Sequence, residues 1–418
     1  MAVEARDGLF LHGAEWAING QEFATASVIV DGGRVARIHE SALSVKPGFA
    51  AGNIDLSGFQ VLPGFINAHD HLQFSLFPRL GTPPYRNYVD WGNDIHERQG
   101  ELIDQHKRVP KRARLWWGGI RNLLCGVTTV CHHDPLWPEL LEGDFPVRVV
   151  KEFGWAHSVA LGGDLREAHA ATPKNRAFII HAAEGTDQRA REELWELDRL
   201  GLLNRQTVLV HGLAIDSEGV ALIRKRGGSI ILCPSSNKYL FGIVPNVSLL
   251  GGVGRIALGS DSALTSLGDF LDEIRFAVRN CRIPAQAALR MATTTAAMML
   301  RLDEGKGSIK EGEAADLIAI RNTGEPLETR LQKLTMHDIE FVMVGGEVKL
   351  VSPRVLERIP CALKHELEPL QIDGSIRWLR APVSALLKAA EDVLGEDKVH
   401  LGYRKLSIPV GVEAPHGC

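Results

Sequence analysis

Between residues 178 and 300, short apolar runs alternate with longer stretches whose apolar positions recur every three to four residues. FIIH at 178–181 is followed by TDQRAREELWELDRLG, where Ala190, Leu194, Leu197 and Leu200 fall on one helical face. Thr186 is placed to cap that helix. TVLVH, DSEGVALIRKRGG, SIILC, a short helical piece, RIALGSD and GDFLDEIRFAVRN continue the pattern, giving four strand-helix units in succession. A similar unit, RARLWWGGIRNLLCG followed by VTTVC, begins near residue 111. Such alternation predicts a parallel sheet. His181, His211, Cys233 and Asp261 close successive predicted strands at intervals of 30, 22 and 28 residues, about one strand-helix unit each. In a closed (β/α)8 barrel those carboxyl ends form the mouth, so the spacing predicts that these polar side chains meet there.

The flanks read differently. SVIVDGGRVARI at 27–38 is a β-hairpin pattern around Asp-Gly-Gly, and β character returns in GSIKEGEAADLIAIRN and in HDIEFVMVGGEVKLV, which turns at Gly345-Gly346. The expected organisation is a first β segment over 1–60, a barrel over 61–304, a second β segment over 305–360 and a C-terminal extension over 361–418. Only one element, the amphipathic helix SALLKAAEDVLG, is placed in that extension. Just 34 positions separate Val147 from His181, which must hold the third and fourth strands and reach the fifth. At least one barrel helix is therefore expected to be missing or shortened.

Composition narrows the partners. The chain has 418 residues, 45% apolar and 23% charged, with a formal net charge of −4, so no general attraction to nucleic acid or anionic membrane is expected. Small molecules are the expected partners. Six scattered cysteines without a CxxC pair suggest reduced thiols, and the absence of a signal core or long apolar stretch suggests a cytoplasmic protein.

Candidate chemistry begins at NAHDHLQF, where His69 and His71 are two residues apart and so share a strand face while Asp70 points away. Alone, each candidate has an ordinary reading: His211 as a core histidine, Glu184 as a helix-start acid, Asp261 as a turn cap. Together, three imidazoles and a carboxylate in this order suit one divalent ion with an open position for water, and a further acid within reach.

VLPGFINAHDH, GVTTV, IIHAAEG, VLVHG, CPSSN, LGSDSA and GEAADLIAI, spread over residues 59 to about 320, resemble the amidohydrolase superfamily. Within it they are similar to the mononuclear branch of aminated-heterocycle deaminases and triazine hydrolases. The resemblance implies a distorted TIM (β/α)8 barrel with a small β-sandwich built from both chain ends. It implies His69, His71, His181 and Asp261 as ligands of one divalent ion, Zn ahead of Fe, with Asp261 also accepting a proton from the attacking water. Glu184 would shuttle a proton to the ring and then to the departing group, and His211 would hold the hydroxide or substrate oxygen. Asn237 would brace its loop or touch substrate, and a homodimer is expected. Binuclear relatives carry a bridging carboxylated lysine, which directs attention to Lys151, although an ordinary strand-edge lysine is the stronger reading.

The loop after the first barrel strand is aromatic: Phe74, Phe77, Tyr85, Tyr88 and Trp91. These side chains either stack on a flat ring or pack the loop, and Arg86 is a candidate partner for a substrate carboxylate. His132 and His133, at a strand end, are candidate substrate contacts. The expected activity is a metal-dependent hydrolase that attacks an amino-substituted heterocycle with metal-bound hydroxide and releases ammonia. Hydrolysis of a cyclic amide or another ring substituent is the alternative, and a noncatalytic barrel homologue the third reading.

Overall fold

The computed structural model describes residues 8–18, 23–40 and 52–411. Eight short strands carry the central architecture: β1 (Phe65–Asp70), β2 (Val127–His132), β3 (Arg148–Val149), β4 (Gly154–Ser158), β5 (Phe178–Ala182), β6 (Thr207–His211), β7 (Ser229–Leu232) and β8 (Ile256–Leu258). β1, β2 and β3 pair in parallel, and β4 to β8 pair in parallel in chain order. The order returns to its start after β8, where Asp261 N–H donates to His69 O at 3.1 Å and Ser260 N–H to Asn67 Oδ1 at 3.0 Å. Apolar side chains from β1 and from β5 to β8, among them Ile66, Ala68, Ile179, Val208, Val210, Ile231 and Ala257, fill one buried cluster. This is the parallel sheet expected from the chain's periodicity, in the form of the distorted TIM barrel that the family resemblance implies.

The distortion lies where the residue count was short. Only residues 150–153 join β3 to β4, without a helix, and the β2–β3 connection holds just a 3-10 turn at Pro138–Leu141. By contrast, the β1–β2 connection is long and carries three helices: α1 (Tyr88–Arg98), α2 (Gly100–Lys107) and α3 (Lys111–Leu124). The helix after β5, Gln188–Arg199, buries Ala190, Leu194 and Leu197 as its spacing predicts. Its cap is Asp187 rather than Thr186: the Asp187 side chain accepts from Ala190 N–H at 3.0 Å.

Strands from both chain ends form two further sheets. Leu9–His12, Ser27–Asp31, Arg34–His39 and Asn53–Asp55 make a four-stranded sheet, while Phe59–Pro63 pairs antiparallel with Leu317–Arg321 in a ten-stranded one. Val28, Val30 and Ile54 of the first pack in one buried cluster with Val61, Ala319 and Phe341 of the second. Residues 368–407, left without strands by the sequence reading, extend the larger sheet. Their hairpin, Glu368–Ile372 with Ser375–Leu379, turns at Asp373-Gly374 with both φ positive. An Asp-Gly pair between alternating residues is the signal that would have found it.

Cys125, Cys131, Cys233 and Cys281 are free thiols, whereas Cys361 is disulfide-bonded, against the all-thiol expectation. Cys418 lies outside the described residues. No helix among the described residues is long and apolar enough to cross a membrane.

Candidate active site

The strand ends bring the predicted cluster together. His181 Nε2 lies 3.1 Å from His69 Nε2 and 3.4 Å from His71 Nε2. Asp261 Oδ1 stands 3.7 Å from His69 Nε2 and 3.8 Å from His71 Nε2. All four residues are buried. Three of the turns that aim this cluster use left-handed backbone at non-glycine residues: Ala183 (φ 55), His211 (φ 75) and Asp261 (φ 58). Strain of this kind persists where surrounding structure enforces it.

What holds each imidazole also sets its tautomer. His71 Nδ1 donates to Asp134 Oδ2 at 2.6 Å, and His181 Nδ1 donates to His157 O. His133 donates through Nε2 to Ala156 O at 3.0 Å, so its bare Nδ1, 3.3 Å from His69 Nδ1, accepts that ring's proton. With all three protons on Nδ1, three Nε2 lone pairs face one space. Burial, the largest influence, pushes His69 and His181 below the ordinary histidine range, His181 far below, so both rings are neutral donors. Burial acts the same way on His71, but the Asp134 carboxylate outweighs it and raises that ring.

Asp261 accepts from Ser262 N–H at 2.7 Å, Ser236 Oγ at 2.6 Å and Thr265 Oγ1 at 3.2 Å. Burial alone would raise it, yet the His69 hydrogen bond and the surrounding histidines hold it well below the carboxylate range. Glu184 goes the other way: burial first, then the negative charges of Asp261 and Glu193, push it well above the usual range. Its Oε2 lies 3.5 Å from His211 Nε2. His211 is held neutral by burial, at about 3, and Asn237 Nδ2 donates to its Nδ1 at 3.1 Å, leaving the ring proton on Nε2 toward Glu184 and Asp261. Neighbouring carboxyls with oppositely displaced ionisation are the pattern that acid–base chemistry uses.

The donor set fits a divalent ion. Zinc ligands about 2.0–2.1 Å from the metal stand roughly 3.3 Å apart in a tetrahedron, close to the spacing of these nitrogens. Two overlapping groups have the reach, His69, His71, His133 and His181, and His69, His181, His211 and Asp261, with the donor atoms of each within 4.8 Å of one another.

The cavity in front of the cluster holds about 360 Å³ and is walled in part by Phe74, Phe77, Tyr88 and Trp91. Other expected contacts are elsewhere. Tyr85 turns its hydroxyl to Asp94 and Thr82 N–H, and exposed Arg86 pairs with Asp90 at 3.1 Å, so neither lines the cavity. His132 and His133 are buried and do not line the cavity, and His133 Nδ1 faces His69 Nδ1 at 3.3 Å. Asn237 is buried against His211, off the cavity wall. Lys151 is exposed and lines a different groove, apart from the histidines. Asp134, noted in the sequence only as the neighbour of His132 and His133, and His157, which the sequence reading did not select, both line the cavity and accept from His71 and His181. Their signal was position: each lies at or just past the end of a barrel strand.

A parallel barrel with a histidine and aspartate cage at its carboxyl end defines a hydrolase that works through a divalent metal. The Amidohydrolase family model matches residues 165–351. A 5-methylthioadenosine/S-adenosylhomocysteine deaminase of Nitratidesulfovibrio vulgaris is 32% identical over 387 residues, covering 77% of this chain and 86% of its own. Among solved structures, a triazine hydrolase variant matches 92% of this chain and 99% of its own with a TM-score of 0.72 at 17% identity. An adenosine deaminase from Xanthomonas campestris with bound Zn matches 92% and 97% with a TM-score of 0.65 at 19% identity. The chain belongs to the amidohydrolase family, as a metal-dependent hydrolase of carbon–nitrogen bonds other than peptide bonds.

Proposed function

We propose that the protein is a mononuclear zinc deaminase that replaces an exocyclic amine of a nitrogen heterocycle, of the adenine type, by oxygen and releases ammonia. The observation that carries this reading is the buried Glu184 carboxyl, 3.5 Å from His211 Nε2 and beside Asp261 and three convergent imidazoles, where burial and the neighbouring carboxylates push its ionisation well above the usual range. Amidine-like ring carbons are poor electrophiles until the adjacent ring nitrogen is protonated, and a carboxyl kept neutral near pH 7 supplies that proton.

His69, His71, His181 and Asp261 would hold the ion, which supplies a water acidic enough to attack near neutral pH. Asp261 takes one proton from the attacking water as its oxygen bonds to the ring carbon, and Glu184 gives its proton to the ring nitrogen. His211 Nε2–H steadies the new oxygen. When the carbon–nitrogen bond breaks, the amine leaves with the Asp261 proton as ammonia, and the hydroxyl proton returns to Glu184, leaving a ring carbonyl. The named substrates of the 5-methylthioadenosine/S-adenosylhomocysteine and adenosine deaminases support an adenine ring. The likeness to triazine hydrolase supports displacement of a different ring substituent as the second reading.

The test is ammonia release by zinc-loaded protein across aminated purines, pyrimidines, pterins and triazines, beside the Glu184→Gln variant. Release from at least one ring that vanishes in the variant is expected. Silence across the panel with metal bound would overturn the deaminase reading.

A further inference from the structure

The cavity is divided by chemistry. Its reacting end gathers His71, His181, Glu184, His211 and Asp261, and the other polar lining groups there are turned to them: Asp134 to His71, the His157 carbonyl to His181, and Thr265 Oγ1 and Ser262 N–H to Asp261. The long β1–β2 connection supplies the opposite wall with Phe74, Phe77, Leu80, Trp91, Ile95 and Ile103, and Leu240 and Leu264 complete it. Tyr88 also lines this part, but its hydroxyl is spent: it donates to Glu193 Oε1 at 2.7 Å and accepts from Ala160 N–H at 3.1 Å. A sugar seated here would bring several hydroxyls to a wall with few side-chain partners for them, and an unpaired buried hydroxyl costs affinity.

Two nitrogen-bearing side chains, one of them the ammonium of Lys107, interrupt the wall at its outer edge. Lys107, the last residue of α2, and His96, in the last turn of α1, both line the cavity and are exposed. Other cations of the same connection either pair with acids, as Arg86 with Asp90, Arg98 with Asp94, Lys111 with Glu139 and Arg112 with Glu142, or, like Arg79, Arg108 and Arg114, have no acidic partner among the described residues and lie off the cavity wall. Lys107 has no acidic partner among the described residues. An ammonium at the rim of an apolar passage, with its counter-charge missing, is the complement of an anionic group carried by a ligand.

We propose that the cavity takes an aminated ring bearing an apolar arm that ends in an anion, such as a carboxylate, and that Lys107 receives that anion while the aromatic wall covers the arm. This rests on the deaminase reading for the ring and adds the substituent, which the reacting residues do not specify. Selectivity then lies in the β1–β2 connection and not in the metal cage.

The probes are 9-(5-carboxypentyl)adenine, its carboxamide, and adenosine. Dissociation constants are measured by calorimetry on the zinc-loaded Glu184→Gln variant, with and without Lys107→Ala, and ammonia release on the unaltered protein. The carboxylate should bind about five-fold tighter than the carboxamide, the scale of a good exposed ion pair, and the gap should close in Lys107→Ala and in high salt. Both should bind tighter than adenosine. Equal binding of carboxylate and carboxamide, adenosine as the tightest ligand, or no binding of any probe would overturn the inference. If the expected order appears without ammonia, the inference stands and the reaction reading fails. If ammonia is released with the order reversed, the reaction reading stands and the inference fails.

Discussion

His133 Nδ1 lies 3.3 Å from His69 Nδ1, and the other nitrogen of His133 is tied to Ala156 O at 3.0 Å. That arrangement leaves the His69 Nε2 lone pair no direction except the site. Supporting partners of this kind typically set metal affinity 10- to 100-fold, because they fix both tautomer and ring orientation. His133→Phe should lower zinc affinity by about that factor, read by competition with a chromogenic chelator, and Asp134→Asn should do the same through His71. His132→Phe, at a ring that holds no ligand proton, serves as the control and should leave the affinity unchanged.

Gly259 is fixed by contact. A Cβ there would lie 2.6 Å from His69 Cβ and 3.0 Å from the His69 backbone nitrogen and oxygen, none of which can move without disturbing the cage. Gly259→Ala should cost about 1–3 kcal/mol, as overpacking does, and should weaken zinc retention. Denaturant titration and metal analysis check the two effects separately.

Glu193 links the aromatic connection to the turn that aims Glu184. It accepts from Tyr88 Oη at 2.7 Å and from Ala183 N–H at 2.8 Å. Burial raises its ionisation to about 7. A carboxyl raised on folding contributes stability that is complete below its unfolded value, near 4.5, and lost as pH climbs through about 7. Stability of the unaltered protein should therefore fall across that window by on the order of 2–3 kcal/mol more than that of Glu193→Gln. Parallel slopes for the two proteins in urea titrations from pH 4.5 to 8 would refute the assignment.

Exposure of Lys151, in a groove away from the histidines, argues against a bridged pair of metals. Lys151→Met should leave both the metal content and the turnover unchanged, with one zinc per chain by mass spectrometry of the native protein. Two metals, one lost in the variant, would reverse that conclusion.

Much of the cage was legible because a parallel barrel repeats itself. Strand-end spacing alone aligned His181, His211 and Asp261, and the shortfall before His181 foretold the missing helices on that side. The side chains that misled are those whose direction no periodicity fixes. Aromatic content of the β1–β2 loop pointed to Phe74, Tyr88 and Trp91, all on the cavity wall, but equally to Tyr85, which turns to Asp94. His132 and His133 sit at a strand end as catalytic residues do, yet the ladder between β1 and β2 is irregular between Asn67 and Asp70, and alternation across it cannot be counted from sequence. Glu193 lay hidden on a helical face with apolar neighbours, where its bond to Ala183 spans ten residues and a strand-to-helix turn.

The claim at the centre is that the ring loses its amine to water while staying closed. Turnover of a substrate identified in the ammonia screen, run in oxygen-18 water and followed by mass spectrometry, tests it directly. One labelled oxygen on the ring carbon and one ammonia per molecule, both absent with Glu184→Gln, is the predicted result. A ring-opened product, or label incorporation without ammonia, would contradict it.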